Sequence, residues 1–413
     1  MFAAFEAPGY RFVTGSALSF TASWTTDQLV QGWVVLELTN SPFWVGAAAG
    51  MRGVSQLLFS LAGGAVADRL DRRRVLIGTY LLLATIALSL GALAASGRLA
   101  LWNMLPLVVL GGANGLVGPN SSAMTYDVVG PARLMNASAF SFMSGAVVRT
   151  LAALAGGLAL DRLGIAPAYV LVAALFLFTA AILVPLRVPA KPRGDAPHEG
   201  TLVALRGGLR YAGRTRAVRD LLILSAITEM FGFAYLAVLP VVARDVLHQT
   251  ATGLGLLAAA SAAGQFVAMI GLSLAGDVRR KGLILIGSTL AFGIAIIGLG
   301  LSSVFVLSLA IVFCVGAAAS LYDTSMWTVV QMTASEEMRG RVLGLYMATY
   351  GLSQIGGFVI GAMASITSVP LALGLAGIFV ALNAARLLRA VARFTPQAAH
   401  PPATEFPPAG APL

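Results

Sequence analysis

Five charged side chains lie inside long apolar stretches of this chain, where a charge is costly to bury. They are Asp27, Arg52, Arg149, Glu229 and Asp323. In a lipid bilayer such a group is strongly unfavourable unless it is paired or wetted, so each is a candidate functional residue. A carboxyl in this setting can take up a proton or hold a cation, and an arginine can hold an anion. The pattern therefore indicates binding and movement of charge.

Three of these residues fall at a similar depth. Helices rise about 1.5 Å per residue, so Asp27 and Arg52 lie at similar distances from the turn near residue 40 and can pair across a helical hairpin. Arg149 reaches the same level and is a rival partner for Asp27. Two interpretations stay open. The pair is structural, or protonation of Asp27 releases an arginine and couples protons to transport.

Glu229 differs because no basic residue lies near its depth on the same apolar stretch. Asp323 is similar but lies nearer the end of its stretch. An unpaired buried carboxyl can take up a proton or hold a cationic substrate. The alternative is a carboxyl that hydrogen-bonds a neighbouring helix and has no part in transport.

The composition is that of a membrane protein. Apolar residues make up 58% of the 413 and charged residues 11%, and the mean hydropathy is +0.86. A soluble domain has about 25% charged residues. The basic residues that give the net charge of +10 lie in short turns rather than on one face. This distribution argues against a nucleic-acid partner. One cysteine, three scattered histidines and no phosphate-binding loop predict no metal site, no cofactor and no enzyme activity.

The apolar stretches have the length of membrane helices. A span needs about 20 mostly apolar residues, and twelve segments qualify. The predicted fold is therefore an all-α membrane protein with twelve transmembrane helices. The predicted spans are 11–38, 43–67, 75–96, 100–124, 135–160, 165–186, 219–243, 251–275, 282–301, 304–328, 341–365 and 369–390.

Most of the 27 Lys and Arg residues fall on one side of these spans. The positive-inside rule puts that side, with both termini, in the cytoplasm, so we predict a multi-pass protein of the bacterial cytoplasmic (inner) membrane. A short amphipathic surface helix is expected at 202–211. The predicted divisions are a six-helix bundle at 1–187, a cytoplasmic linker at 188–217, a second six-helix bundle at 218–392 and a disordered cytoplasmic tail at 393–413.

The two predicted bundles resemble each other. An offset of 209 residues brings Gly46 onto Gly255, and an offset of 205 brings Gly156 onto Gly361. Two parallel halves imply a pseudo-two-fold axis along the membrane normal, with substrate bound near the midplane between them. The first offset also matches Gln56 with Gln265, Asp68 with Asp277 and Gly78 with Gly287.

A short basic turn, Gly64 to Leu76, joins the second and third spans, and a weaker copy stands at 275–281. It resembles the signature loop of the major facilitator superfamily, except that Asp71 stands where the family usually has glycine. The resemblance implies a cytoplasmic gate that uses an ion pair to helix 4 and the dipole of helix 11. The alternative is that the arginines only fix topology. The residues expected in the gate are Gly64, Asp68, Arg69, Arg72, Arg73, Asp127, Asp277, Arg339 and Arg341.

Longer stretches, at 32–42, 231–247 and 339–342, resemble a subgroup that includes siderophore exporters and drug-efflux carriers. Such exporters often have Gly-Pro in helix 5 shortly after an arginine, and the residues that follow Arg149 lack it. In the superfamily, helices 1, 4, 7 and 10 line the cavity. Asn114 on helix 4 therefore joins the buried charges as a candidate coupling or substrate residue.

The resemblance implies a secondary transporter that exports small amphipathic molecules, drug-like or siderophore-like, in exchange for protons by alternating access. We expect a monomer that contacts membrane lipids. An importer or uniporter of a small metabolite on the same fold is the alternative. A membrane enzyme or sensor would need a clustered set of reactive side chains or a soluble output domain, and the sequence predicts neither.

Overall fold

The computed structural model describes residues 3–7, 9–69, 71–186, 201–276 and 280–388, without the side chains at 3–4, 61–69, 132, 135, 139, 142 and 201–206. Within these residues every regular element is a helix. The α-helices are α1 Tyr10–Thr39, α2 Pro42–Arg69, α3 Arg72–Ala95, α4 Leu101–Gly111, α5 Val117–Val129, α6 Leu134–Leu163, α7 Ile165–Leu183, α8 Thr201–Arg214, α9 Arg216–Ile227, α10 Tyr235–Val241, α11 Ala251–Ala275, α12 Lys281–Leu301, α13 Phe305–Thr333, α14 Arg339–Thr349, α15 Gly351–Ile366 and α16 Val369–Leu388.

Ten helical segments are long and apolar enough to cross a membrane. Three of them combine shorter elements: α4 with α5, α9 with α10, and α14 with α15. The remaining long helices, α1 and α2, have 30 and 28 residues, which is also enough to span a bilayer. The elements are therefore consistent with twelve membrane helices. Observed helices run past several predicted ends, as in α13, because the helix continues through polar residues beyond the apolar stretch.

Some predictions fall outside the described residues. They concern the tail at 393–413, the linker before residue 201 and Asp277. The surface helix predicted at 202–211 is observed as α8, which packs on α14. The division into bundles at the predicted boundaries stays a prediction.

Local chemistry explains where several helices begin and end. The Asp71 carboxylate accepts hydrogen bonds from the backbone N–H of Arg73 at 2.9 Å and of Arg74 at 3.4 Å, so it caps the start of α3. This role accounts for an aspartate at a position where glycine was expected. At the opposite end of the bundle, Asn40 adopts a left-handed conformation with φ 47° and ends α1. Gly164, with φ 87°, ends α6.

Equivalent helices of the two halves pack in equivalent ways. Within the halves, α3 packs on α7 and α12 packs on α16. Between the halves, α2 packs on α15 and α6 packs on α11. Glycines at both crossings let the backbones approach closely. A Cβ at Gly157 would lie 3.1 Å from the Gly255 Cα, and a Cβ at Gly46 would lie 3.0 Å from the Gly361 Cα.

These contacts give the repeat a structural meaning and correct its register. Gly46 and Gly255 occupy equivalent crossings, as the first offset predicted. The residue equivalent to Gly361 is Gly157 rather than Gly156, because Gly156 lies against Thr26 of α1. The prediction was wrong by one position, since two adjacent glycines cannot be told apart in an alignment of the halves.

Large apolar side chains cover the outside of the bundle. Leu274, Leu301 and Ile366 are each more than four-fifths exposed. In water such a surface would be unstable, whereas lipid tails accept it. We name the two ends of the bundle after their turns: the Asn40 end has the turns α1–α2, α6–α7 and α10–α11, and the Arg72 end has the turns α2–α3, α5–α6 and α13–α14.

Candidate functional site

A cavity of about 200 Å³ lies between the two halves. Its walls come from α1, α2, the α9–α10 segment and α14–α15. The expectation was that spans 1, 4, 7 and 10 line the cavity. It is right for span 1, which is α1, and for span 7, which is α9–α10. Span 2, which is α2, and span 11, which is α14–α15, take the other two places. Its polar lining residues are Gln28, Gln31, Arg52, Glu229, Tyr350, Ser353 and Gln354.

Arg52 forms a network on the side of the cavity that belongs to the first half. Its guanidinium donates hydrogen bonds to the Asp27 carboxylate and to the Gln31 side-chain carbonyl. The guanidinium carbon also lies 4.1 Å from the centre of the Trp24 ring, a cation–π contact. Arg52 is only 5% exposed. The predicted pairing of Asp27 with Arg52 across the α1–α2 hairpin is confirmed, and its charge is compensated where it faces the cavity.

Two other predicted residues of the first half lie away from this network. Among the described side chains Asp27 pairs with Arg52 and not with Arg149, the rival partner, whose buried Nε has no hydrogen-bond partner. Asn114 lies on a 3₁₀ segment, Gly112–Leu116, that joins α4 to α5. Its amide is buried with neither polar atom partnered. Neither side chain is among those that line the cavity.

Glu229 faces the cavity from the other half. It lies on a π-helical turn, Thr228–Gly232, that follows α9, and such turns are frequent at functional sites. The side chain is 1% exposed, and its Oε1 has no hydrogen-bond partner. Among the described side chains it makes no ion pair. Glu229 is therefore the uncompensated carboxyl of the cavity wall.

Asp323, on α13, lies behind that wall rather than in it. Its Oδ1 is buried without a hydrogen-bond partner. The hydroxyls of Tyr350 and Tyr346 are 2.9 Å apart. Tyr350 itself lines the cavity. Neither tyrosine was predicted to be a site residue; their only signal was spacing by four residues, which places them on one helix face.

At the Arg72 end, several basic side chains contact residues of their own half. Arg72 forms the predicted ion pair with Asp127 of α5. Arg73 donates to the backbone carbonyls of Leu183, at 2.8 Å, and of Val184. In the other half, Arg339 donates to the Gln331 carbonyl at 3.1 Å, and Arg341 contacts the Met338 sulfur at 3.7 Å. Gly64, Asp68 and Arg69 lie on α2, where the description does not include side chains, and Asp277 lies outside the described residues.

At the Asn40 end, by contrast, side chains join the two halves. The Asp161 carboxylate on α6 accepts hydrogen bonds from Thr250 Oγ1 at 2.5 Å, Ala251 N at 3.0 Å and Thr252 N at 2.8 Å. It thereby caps α11, whose own cap residue Thr250 makes no side-chain cap bond. Arg244 Nη1 donates across the halves to the Leu36 carbonyl at 3.1 Å. These contacts were not predicted from the sequence.

An all-helical bundle with two equivalent halves, a cavity between them and buried charges on its walls defines a membrane transporter of the major facilitator type. The profile of the transmembrane secretion effector family, a branch of that superfamily, matches residues 1–410. The chain belongs to this family. It is thus a multi-pass membrane transporter and not an enzyme.

The chain is similar to enterobactin exporters named EntS. It is 27% identical over 386 residues to that of Citrobacter koseri, across 91% of this chain and 89% of the relative. It is 27% identical over 336 residues to that of Escherichia coli O1:K1 / APEC, across 79% of each.

Solved transporters share the fold. A bacterial homologue of the human lysosomal transporter Spinster, in an inward-facing and unoccupied conformation, matches with a TM-score of 0.72 at 16% identity, over 93% of this chain and 96% of that chain. The nucleoside transporter NupG matches with a TM-score of 0.72 at 14% identity, over 92% and 98%.

Proposed function

We propose that the protein exports small amphipathic molecules across the bacterial cytoplasmic membrane in exchange for protons, by alternating access. The observation that carries the proposal is the cavity between the halves with Glu229, a carboxyl without a counter-charge, in its wall. Such a group exchanges a proton or a cation more readily than one held in an ion pair. Both termini would face the cytoplasm.

Two features support alternating access. Side-chain hydrogen bonds join the halves at the Asn40 end, which is the periplasmic end in this orientation. The halves would therefore be closed to the periplasm in this conformation. Closure of the other side would bring together the loop residues of the Arg72 end: Gly64, Asp68, Arg69, Arg72, Arg73, Asp127, Asp277, Arg339 and Arg341.

The charges of the cavity favour a substrate that is positively charged or neutral. The charge of Arg52 is balanced by Asp27, whereas Glu229 has no balancing cation among the described side chains. The similarity to enterobactin exporters supports export and keeps a siderophore-like substrate as the second candidate. An importer or uniporter of a small metabolite would share the fold but not the dependence on an opposing proton gradient.

Two ions of the same shape and opposite charge test the proposal. Proteoliposomes with an imposed pH gradient are loaded with tetraphenylphosphonium or with tetraphenylborate, and efflux is followed with ion-selective electrodes. We expect gradient-driven efflux of the cation alone, and its loss in Glu229→Gln. If efflux of the cation is the same in Glu229→Gln as in wild type, Glu229 is not on the coupling path. Equal movement of both ions, or none that follows the gradient, would overturn proton-coupled export of cations and favour a siderophore-like substrate or uptake.

A further inference from the structure

The side chain of Gln354 lies in a notch on the surface of α2. Gln354 is in the first turn of α15 and lines the cavity. Gly53 of α2 faces it: a Cβ at Gly53 would overlap the Cβ and Cγ of Gln354 and lie 3.0 Å from its Cδ. The side chain of Gln354 therefore fills the space that any residue other than glycine would need at position 53. We call this space the Gly53 notch.

The amide of Gln354 has hydrogen-bonding capacity that the protein does not use. A glutamine side chain has an acceptor oxygen and two N–H donors. Within the part of the chain that the structure describes, the partly buried side chain of Gln354 makes no hydrogen bond. The amide of Gln31, by contrast, accepts a hydrogen bond from Arg52 through its carbonyl oxygen. The Gln354 amide in the cavity wall is therefore available to a ligand.

The same helix is fixed against the turn that carries Glu229. Gly356 of α15 packs on the π-helical turn, where a Cβ at Gly356 would overlap the Met230 carbonyl oxygen and lie 3.0 Å from the Met230 Cα. Gln354 is two residues before Gly356, and Glu229 directly precedes Met230. Both Gln354 and Glu229 line the cavity. A ligand in the cavity can therefore meet a carboxyl and an amide whose relative positions are set by this backbone contact.

We propose that Gln354 hydrogen-bonds a hydroxyl or carbonyl group of the substrate, and that Gly53 is the positioning residue that keeps this amide in the cavity wall. The substrate class is then an amphipathic cation with its charge near Glu229 and a polar group at Gln354. A cation without the polar group leaves the amide without a partner and binds less tightly. This role rests on the proposed transport of cationic amphipathic molecules.

Two cations of nearly the same shape test this recognition without a proton gradient. (2-Hydroxyethyl)triphenylphosphonium has a hydroxyl where propyltriphenylphosphonium has a methyl group. Their dissociation constants are measured by equilibrium dialysis against the purified full-length protein, with detergent micelles alone as the blank. Gln354→Met nearly keeps the side-chain shape and removes the amide. Gln249→Met is the matched control, because Gln249 also overlaps the Cβ position of a glycine, Gly253, but does not line the cavity.

The quantity to compare is the dissociation constant of the propyl cation divided by that of the hydroxyethyl cation. We expect this ratio to fall by about 2–10-fold in Gln354→Met, because one hydrogen bond to the hydroxyl is lost. Binding of the propyl cation should stay as in wild type, and Gln249→Met should change neither constant. An equal ratio in wild type and Gln354→Met would overturn the role of Gln354, and so would the failure of both cations to bind wild type.

Gly53→Ala tests the notch. Its new methyl group would displace Gln354 from α2, so we expect weaker binding of both cations and the same fall in the ratio. The reciprocal variant Gly53→Ala/Gln354→Gly removes the clashing Cβ of residue 354, so it should restore binding of the propyl cation but not the ratio. Unchanged binding in Gly53→Ala would overturn the positioning role. If Gly53→Ala does not elute as a folded protein, the reciprocal variant decides, and weak binding of the propyl cation in it would overturn that role.

The outcome is separable from that of the proposed function, because dialysis requires no flux. A ratio that depends on Gln354, in a protein without gradient-driven efflux, would keep the binding role and exclude proton-coupled export. Gradient-driven efflux of cations, with an equal ratio in wild type and Gln354→Met, would keep export and exclude the role of Gln354.

Discussion

The two halves share a framework and differ in how they bury charge. In the first half, Arg52 lies among Asp27, Gln31 and Trp24, so the buried charge at the cavity has a partner. In the second half, Glu229 and Asp323 lie among tyrosines, and neither forms an ion pair with a described side chain. A paired network resists a change of charge, since loss of one member strands the other. A carboxyl without an ion-pair partner can gain a proton, and no other buried charge loses its partner.

The repeat makes this contrast sharper. The offset that superposes Gly46 on Gly255 also superposes Arg52 on Ser261. Ser261 is a small hydroxyl that bonds Tyr235 at 3.0 Å. The glycines that set the distance between the halves are thus kept in both copies, while the buried arginine is present in only one. The scaffold is symmetric and the electrostatics are not, which suggests that the second half carries the exchangeable charge.

The largest effect should come from breaking the paired network. Arg52→Met leaves Asp27 buried without a cation, which should lower the free energy of unfolding by about 3–5 kcal/mol. SDS-driven unfolding of the purified protein measures this. The double variant Asp27→Asn/Arg52→Met should recover most of the loss, because no charge is left stranded. A single variant as stable as wild type would show that Arg52 does not compensate Asp27.

A smaller loss is expected where the halves touch. In Gly157→Ala the new methyl would lie 2.5 Å from the Ala251 carbonyl oxygen, and such overpacking lowers stability by about 1–3 kcal/mol. Gly374→Ala on α16 is the control, since nothing lies within 4 Å of its added carbon. The two variants are compared by their midpoint temperatures of thermal unfolding in detergent. Equal midpoints would mean that the α6–α11 contact is looser than described.

The fold and the site were predictable to different degrees. Span lengths and the basic turn were enough for the fold, because they depend on bilayer thickness and on residues close in sequence. The Asp27–Arg52 pair was predictable because the two residues lie at similar numbers of residues on either side of the same turn, which puts them at the same depth. Tyr350 and Asp161 were not, because their contacts depend on how each helix is rotated about its axis. In lipid, apolar residues cover buried and outer faces alike, so periodicity does not reveal that rotation.

Asp161 provides a test of the contact between the halves that is separate from packing. Removal of a helix cap costs about 0.5–2 kcal/mol. A loss of about 1–2 kcal/mol changes an equilibrium constant by about 5–30-fold, so Asp161→Ala should lower the ratio of molecules with a closed Asn40 end to those with an open one by that factor. Distances between spin labels on α6 and α11 would report this. Ser365→Ala is the control, because that hydroxyl bonds only the Ala362 carbonyl of its own helix. Unchanged distance distributions in Asp161→Ala would show that the cap does not hold the halves together.

The smallest effect on stability should come from the residue with the largest proposed role in transport. Glu229→Gln keeps the side-chain shape and removes a charge that has no partner, so the free energy of unfolding should change by at most about 1 kcal/mol. The same SDS titration that detects the loss in Arg52→Met makes the comparison direct. A loss in Glu229→Gln as large as that in Arg52→Met would mean that Glu229 is held in an ion pair or a strong hydrogen-bond network. The contrast between the halves would then fail, because a carboxyl held in that way is not free to exchange its proton.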